Sequence, residues 1–274
     1  MAEKIMLIDG NSIVNRAFYG VPLLTNGEGR YTNGVYGFLN ILFKLLDEEQ
    51  HGAYLDRFGG TEKALSAYQT EYGEMVSLRE QIRAFYKGTR KGMPEELREQ
   101  MPLLKEVLQA MHIPIFEQEG FEADDILGTL SALAEKNGIV PVVVSGDRDL
   151  LQLAGETLKV RIPKTKGGRT ETEDYYAADV QAKYGVTPAE FIDMKALMGD
   201  ASDNIPGVPG IGEKTAAKII TQYHDIETAI AHAAEIKPKK ASENLAAYQE
   251  QARLSKFLAT IVRDMPLEWD KETL

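Results

Sequence analysis

Short apolar runs in this chain repeatedly stop on a carboxylate, and that pattern narrows the folds available to it. Ile5-Met-Leu-Ile8 runs into Asp9, and Val142-Val-Val144-Ser-Gly leads to Asp147 and Asp149. Glu122-Ala-Asp124-Asp125 follows a Gly-Phe turn and opens an apolar helical stretch, while Asp200 and Asp203 stand in Met-Gly-Asp-Ala-Ser-Asp-Asn. Buried runs of four or five residues read as strands, and helical periodicity between them calls for a parallel sheet covered on both faces. In such sheets ligands collect beyond the carboxyl ends of the strands. Asp9, Glu122 and Asp147 all fall at or just past such ends, so the topology itself gathers them.

Helical spacing is expected over Asn33–Asp47, Pro94–Met111 and Ala123–Lys136, and strands over residues 4–9, 113–116, 140–144 and 158–162. From about Thr187 the pattern is helical, with Pro188–Met198 and a helix beginning near Glu213. The stretch Arg263-Asp-Met-Pro-Leu-Glu reads as a strand or a linker. The expected organisation is an α/β core over residues 1–185 and a helical region over 186–274.

Carboxylates this close repel one another, increasingly as water is excluded. Helix capping accounts for one or two acids at a helix start, and Ser145–Asp149 taken alone reads equally well as a capped loop. The whole set points instead to divalent cations, Mg2+ or Mn2+, which take carboxylate and water ligands and need neither His nor Cys. Two ions about 4 Å apart suit hydrolysis of a phosphodiester. The four histidines, His51, His112, His224 and His232, have no ligand spacing and read as structural.

A net charge of −11 would ordinarily argue against a nucleic-acid partner. Eight of those charges belong to the acids just named, so with cations bound the rest of the surface is nearly neutral. Gly207-Val-Pro-Gly210-Ile-Gly212-Glu-Lys214-Thr215 is a helix–hairpin–helix type of turn, whose glycines and following helix N-terminus suit a backbone phosphate. A plain turn between helices is the other reading. Such a site would hold phosphates without reading bases. Tyr86-Lys87-Gly-Thr-Arg90-Lys91 is either a solvated helix face or a phosphate-steering patch with an aromatic for stacking. The absence of cysteine excludes disulfides and thiolate sites and suits a reducing cytoplasm. No apolar run approaches ~18 residues, and the first residues pass straight into a strand pattern, too short for a secretory leader.

Taken together, Leu-Ile-Asp9-Gly-Asn-Ser, Arg16-Ala-Phe, Tyr86-Lys-Gly-Thr-Arg, Glu122-Ala-Asp-Asp, Ser-Gly-Asp147-Arg-Asp149 and the run from Leu197 to Thr215 resemble the 5′-nuclease family. Within it they are most similar to the 5′→3′ exonuclease domain of bacterial DNA polymerase I. The resemblance implies a resolvase-like or PIN-like parallel sheet with a helical DNA-binding region. It also implies removal of 5′ flaps and RNA primers at nicked or branched DNA during replication and repair. By the same resemblance the metal ligands are Asp9, Glu122, Asp124, Asp125, Asp147, Asp149, Asp200 and Asp203. Arg16, Arg79, Tyr86, Lys87 and Arg90 would handle the substrate. Gly207, Gly210, Gly212, Lys214 and Thr215 would hold duplex DNA, with a monovalent cation such as K+ at the turn. A monomer, free-standing or leading a longer polymerase, is the expected state.

One stretch departs from the family. Where an apolar strand ending in an acid is expected stands His51-Gly-Ala-Tyr-Leu-Asp56-Arg-Phe-Gly-Gly60, short and polar, followed by an atypical helical spacing as far as residue 85. The expectation is therefore a sheet lacking one strand, with Asp56 as the candidate replacement acid. This departure keeps open a second reading: a structure-selective binder of DNA junctions with an impaired nuclease site. A third, a phosphatase-like hydrolase of small substrates, fits poorly with the hairpin turn.

Overall fold

The computed structural model describes residues 3–49, 53–56, 92–118, 121–166 and 169–267. Strand β1 (Lys4–Asp9) is followed by helices α1 (Gly10–Gly20) and α2 (Asn33–Glu49), then β2 (Ala53–Asp56). Next come α3 (Glu95–Arg98), α4 (Gln100–Ala110), β3 (Ile115–Phe116), α5 (Ala123–Lys136) and β4 (Val140–Val144). A 3-10 turn at Asp149–Leu153 leads to β5 (Lys159–Lys166) and β6 (Arg169–Tyr175). The rest is helical: α6 (Ala177–Tyr184), α7 (Pro188–Met198), α8 (Glu213–Tyr223), α9 (Ile226–Ala231), α10 (Lys239–Ala247) and α11 (Gln249–Ala259). Among the described residues, no helix is long and apolar enough to cross a membrane.

The sheet has the order β3-β2-β1-β4-β5-β6, and every pairing is parallel except β5 with β6. Strands β1 and β4 obey the twofold side-chain period. Ile5, Leu7 and Val143 join one buried cluster with α5 and the C-terminal helices. Met6, Ile8, Val142 and Val144 join the other, with α1, α2 and α4. Both faces of the central strands are therefore covered, which leaves their carboxyl ends as the open edge.

Four expectations change. The sheet does not lack a strand: Ala53–Asp56 lies between β1 and β3, with Asp56 paired to Asp9 and to Phe116. Sheet pairing uses backbone groups, so a short polar run flanked on both sides still pairs. The helix expected over 94–111 breaks at Glu99 into α3 and α4. Strand β6 is an antiparallel edge that was not anticipated, although Gly167-Gly168 between two strand-like runs was a hairpin signal. Finally, the stretch after α11 is neither strand nor linker. Ile261, Val262 and Met265 are buried against α5.

Candidate metal centre and nucleic-acid surface

The end of β1 supplies the first acid. Asp9 is buried and caps α1, its Oδ1 accepting from the Ser12 amide at 2.8 Å. Its Oδ2 accepts from the Ser145 hydroxyl at 2.6 Å, and Ser145 Oγ accepts in turn from the Asp147 amide at 3.0 Å. Asp147 Oδ1 accepts from the Asp149 amide at 2.9 Å, and the Gly146 amide donates to Ser12 Oγ at 2.9 Å. The carboxyl ends of two neighbouring strands are thus sewn together by side chains that come from the motifs themselves. Ser12 and Ser145 were not singled out from the sequence, although each stands inside a quoted motif.

Glu122, Asp124, Asp125, Asp149 and Asp203 line one cleft together with Leu258–Ile261. Residues 122–125 open α5, Asp149 opens the 3-10 turn after β4, and Asp203 lies in the turn after α7. Sequence-distant acids therefore converge. Asp9, Asp147 and Asp200 do not line that cleft but connect to it through the hydrogen bonds above and through Lys195. As the side chains stand, the described residues contain no group of three or more acids or imidazoles arranged to hold an ion.

Lys195 is the residue that sequence reasoning missed. It is buried on α7, and its ammonium pairs with Asp149 Oδ1 at 2.7 Å and Asp200 Oδ2 at 2.6 Å. Its signal was slight: two charges, Asp193 and Lys195, set among apolar residues in Phe191-Ile-Asp193-Met-Lys195-Ala-Leu. Burial opposes its charge, but the two carboxylates outweigh this and hold its pKa above the ordinary lysine value. Burial likewise opposes ionisation of Asp200, yet bonds from Lys195 and Ser202 bring it down to about 2. Asp149 goes the other way, raised to about 6 by burial despite Lys195, with Asp147 and Asp200 adding repulsion. One ammonium shared by two carboxylates leaves the more buried one poorly compensated. An all-carboxylate donor set containing such a group fits a hard divalent cation, which takes oxygen ligands and favours their ionised form.

Arg16 lies at the rim of this assembly. Its Nη2 stands 3.0 Å from the position a side chain would take at Gly146, and its Nε is buried without a hydrogen-bond partner among the described residues. Burial lowers its pKa from the ordinary arginine value. Arg79, Tyr86, Lys87 and Arg90 lie outside the described residues. The backbone of Asp56 is placed by strand pairing between Asp9 and Phe116.

The hairpin turn divides into two parts. Gly207 is buried, with φ +59° and its backbone against Gly199. Its amide donates to Ser255 Oγ at 3.0 Å, and its carbonyl accepts from Gln251 Nε2 at 2.6 Å. A side chain there would collide with backbone, so Gly207 anchors the turn on α11. Gly210, Gly212 and Lys214 are exposed and Thr215 half-buried. Gly212 is the N-cap of α8 and contributes no side-chain cap, so that helix offers first-turn amides to an external acceptor.

Comparison with known proteins agrees with this architecture. Residues 4–185 match the family model for the 5′-3′ exonuclease N-terminal resolvase-like domain, and residues 186–274 match that for the 5′-3′ exonuclease C-terminal SAM fold. DNA polymerase I of Bacillus caldotenax is 48% identical over 270 residues, 98% of this chain and 29% of that protein. DNA polymerase I of Bacillus subtilis is 45% identical over 266 residues, 97% of this chain and 28% of that protein. The chain thus spans under a third of the length of these relatives. Among solved structures, the T5 D15 protein co-crystallized with metal ions aligns with a TM-score of 0.70 at 23% identity, covering 96% of this chain and 90% of that one. The catalytic core of Rad2 in complex with DNA aligns with a TM-score of 0.55 at 15% identity, covering 98% and 84%. Carboxylates gathered at the open edge of a resolvase-like sheet, followed by a helical region with a hairpin turn, belong with these matches: the chain is a member of the 5′-3′ exonuclease family, hydrolases that act on DNA.

Proposed function

We propose that this chain cuts phosphodiester bonds near the 5′ ends of flapped, nicked or branched DNA, including RNA-primer ends, as a monomer using Mg2+ or Mn2+. The observation that carries the reading is the convergence of Glu122, Asp124, Asp149 and Asp203 on one cleft from three separated parts of the chain. These acids would hold two ions, with Asp9, Asp147 and Asp200 connected behind them. When bound, the ions would supply Lewis acidity at the phosphate and a water ionised near neutral pH. Arg16 donates to the substrate phosphate from the rim, and Lys87, Arg90 and Arg79 act with it on the scissile group. Tyr86 stacks on an unpaired base near the 5′ end. No side chain forms a covalent bond; hydrolysis cleaves the bond from phosphorus to the 3′ oxygen. The core over residues 1–185 carries most of the chemistry, and the region over 186–274 holds the duplex and lends Asp203 to the cleft, with Asp200 behind it. There, Gly210, Gly212, Lys214 and Thr215 grip backbone phosphates with help from a monovalent cation such as K+, on the scaffold that Gly207 anchors.

The test is cleavage of a 5′-labelled flap duplex with and without Mg2+. Cutting near the junction that needs Mg2+ and disappears in Asp124→Asn supports the reading. Tight flap binding without cutting favours the non-catalytic junction binder instead.

A further inference from the structure

Asp125 differs from the other acids of the cleft. It is 2% exposed, and both its oxygens are engaged by backbone amides: Oδ2 by Glu122 at 3.2 Å and Oδ1 by Val262 at 2.7 Å. The second bond joins the start of α5 to a strap at residues 260–265. The Met265 amide donates to Thr129 Oγ1 at 3.1 Å, one helical turn further along α5. The strap lies directly on the helix backbone, because a side chain at Gly128 would begin 2.9 Å from the Val262 carbonyl and 2.7 Å from Ile261 Cγ2. On its other side the strap is held by Gln152. The Gln152 Oε1 accepts from the Ile261 amide at 3.0 Å, and its Nε2 donates to the carbonyls of Ala259 and Asp149, each at 3.0 Å.

Asp125 thus sits one residue from Asp124, and Gln152 shares the 3-10 turn with Asp149. Each of the two acid-bearing elements is bonded to the same strap, and Ala259, Thr260 and Ile261 form a wall of the cleft. We propose that the strap at 260–265 is a splint that sets the spacing between Glu122–Asp124 and Asp149. Asp125 and Gln152 are positioning residues acting through it, and Asp125 is not itself an ion ligand. The inference rests on the reading of the cleft as a metal centre. Its physical basis is that the facing carboxylates repel one another, so their separation must be held by bonds independent of the ions. The strap supplies those bonds with buried amides, which are costly to leave unpaired.

The experiment measures Mn2+ binding to the whole chain by loss of the free-ion electron paramagnetic resonance signal, alongside thermal melting. Three variants are compared with the parent: Asp125→Asn, Gln152→Ala and Thr129→Val. Gln152→Ala is decisive because it removes no charge. It is expected to weaken Mn2+ about tenfold, in the range seen when groups that orient metal ligands are lost, and Asp125→Asn at least as much. Thr129→Val loosens the strap away from the cleft, so it melts lower while keeping the parent's Mn2+ affinity. Parent-like Mn2+ binding by Gln152→Ala overturns the splint, as does loss of one bound ion in Asp125→Asn with Gln152→Ala unchanged. Failure of the parent itself to bind Mn2+ would instead remove the metal reading beneath it.

Discussion

Lys195→Met tests the electrostatics of the cleft most directly. The ammonium is buried and bonded to Asp149 and Asp200 at 2.7 and 2.6 Å, with Asp149 buried more deeply than Asp200. Methionine keeps the length and apolar stem but leaves two carboxylates facing each other without a counter-ion. At an effective dielectric of about 20, each pair is worth roughly 6 kcal/mol of Coulomb energy before desolvation is subtracted. Removing one partner of a buried pair costs about 3–5 kcal/mol in practice. For a protein of this size that is a fall in melting temperature on the order of 10 °C in chelator at neutral pH. Divalent ions should have the opposite effect. They must share the acids with an ammonium in the parent, whereas in Lys195→Met they meet one more uncompensated negative charge. Binding to the native state alone stabilises it by mass action, so the rise in melting temperature on adding Mg2+ should be larger in the variant. Calorimetric melts of both proteins, in EDTA and in millimolar Mg2+, give the four numbers required. A variant that melts within a degree of the parent in EDTA, or that gains less from Mg2+, refutes the argument.

Three further outcomes are expected. Burial raises the Asp174 carboxyl, but bonds and charge from Arg161, with Lys159, outweigh it and hold the group below the ordinary aspartate value of 3.8. Its contribution is therefore complete above about pH 4 and is lost as pH falls through the lowered folded value. Asp174→Asn should cost about 1–3 kcal/mol at neutral pH and flatten the acid limb of a stability-against-pH curve; an unchanged limb would count against the pair. Lys214→Ala should weaken DNA binding equally across sequences and reduce the slope of log affinity against log salt by about 0.9, measured by fluorescence anisotropy. Arg16→Met should lower flap cleavage about 100-fold with little change in melting, because Arg16 Nε has no partner to lose among the described residues.

The strand-end acids and the glycine turn were legible because each depends on neighbours within a few residues. An apolar run and a hairpin turn are local signals, and Asp9 closing β1 or Gly212 opening α8 follows from them. Helix α1 after Asp9 was not among the expected elements. The same locality made Ala53–Asp56 look too weak to pair. Its place beside Asp9 comes from two flanking strands that lie far away in the chain.

Other features had little or no local signal. Nothing near Lys195 indicates that Asp149 will face it, and nothing near Asp125 points to the Val262 amide 137 residues later. Each joins parts distant in the chain: Lys195 on α7 meets Asp149 of the 3-10 turn, and Asp125 on α5 meets the stretch after α11. Residue type and spacing therefore marked which groups could carry charge to the open edge of the sheet. Packing alone decided which of those charges are matched by a buried ammonium or amide and which face the cleft, because burial and distance set the strength of every such pairing.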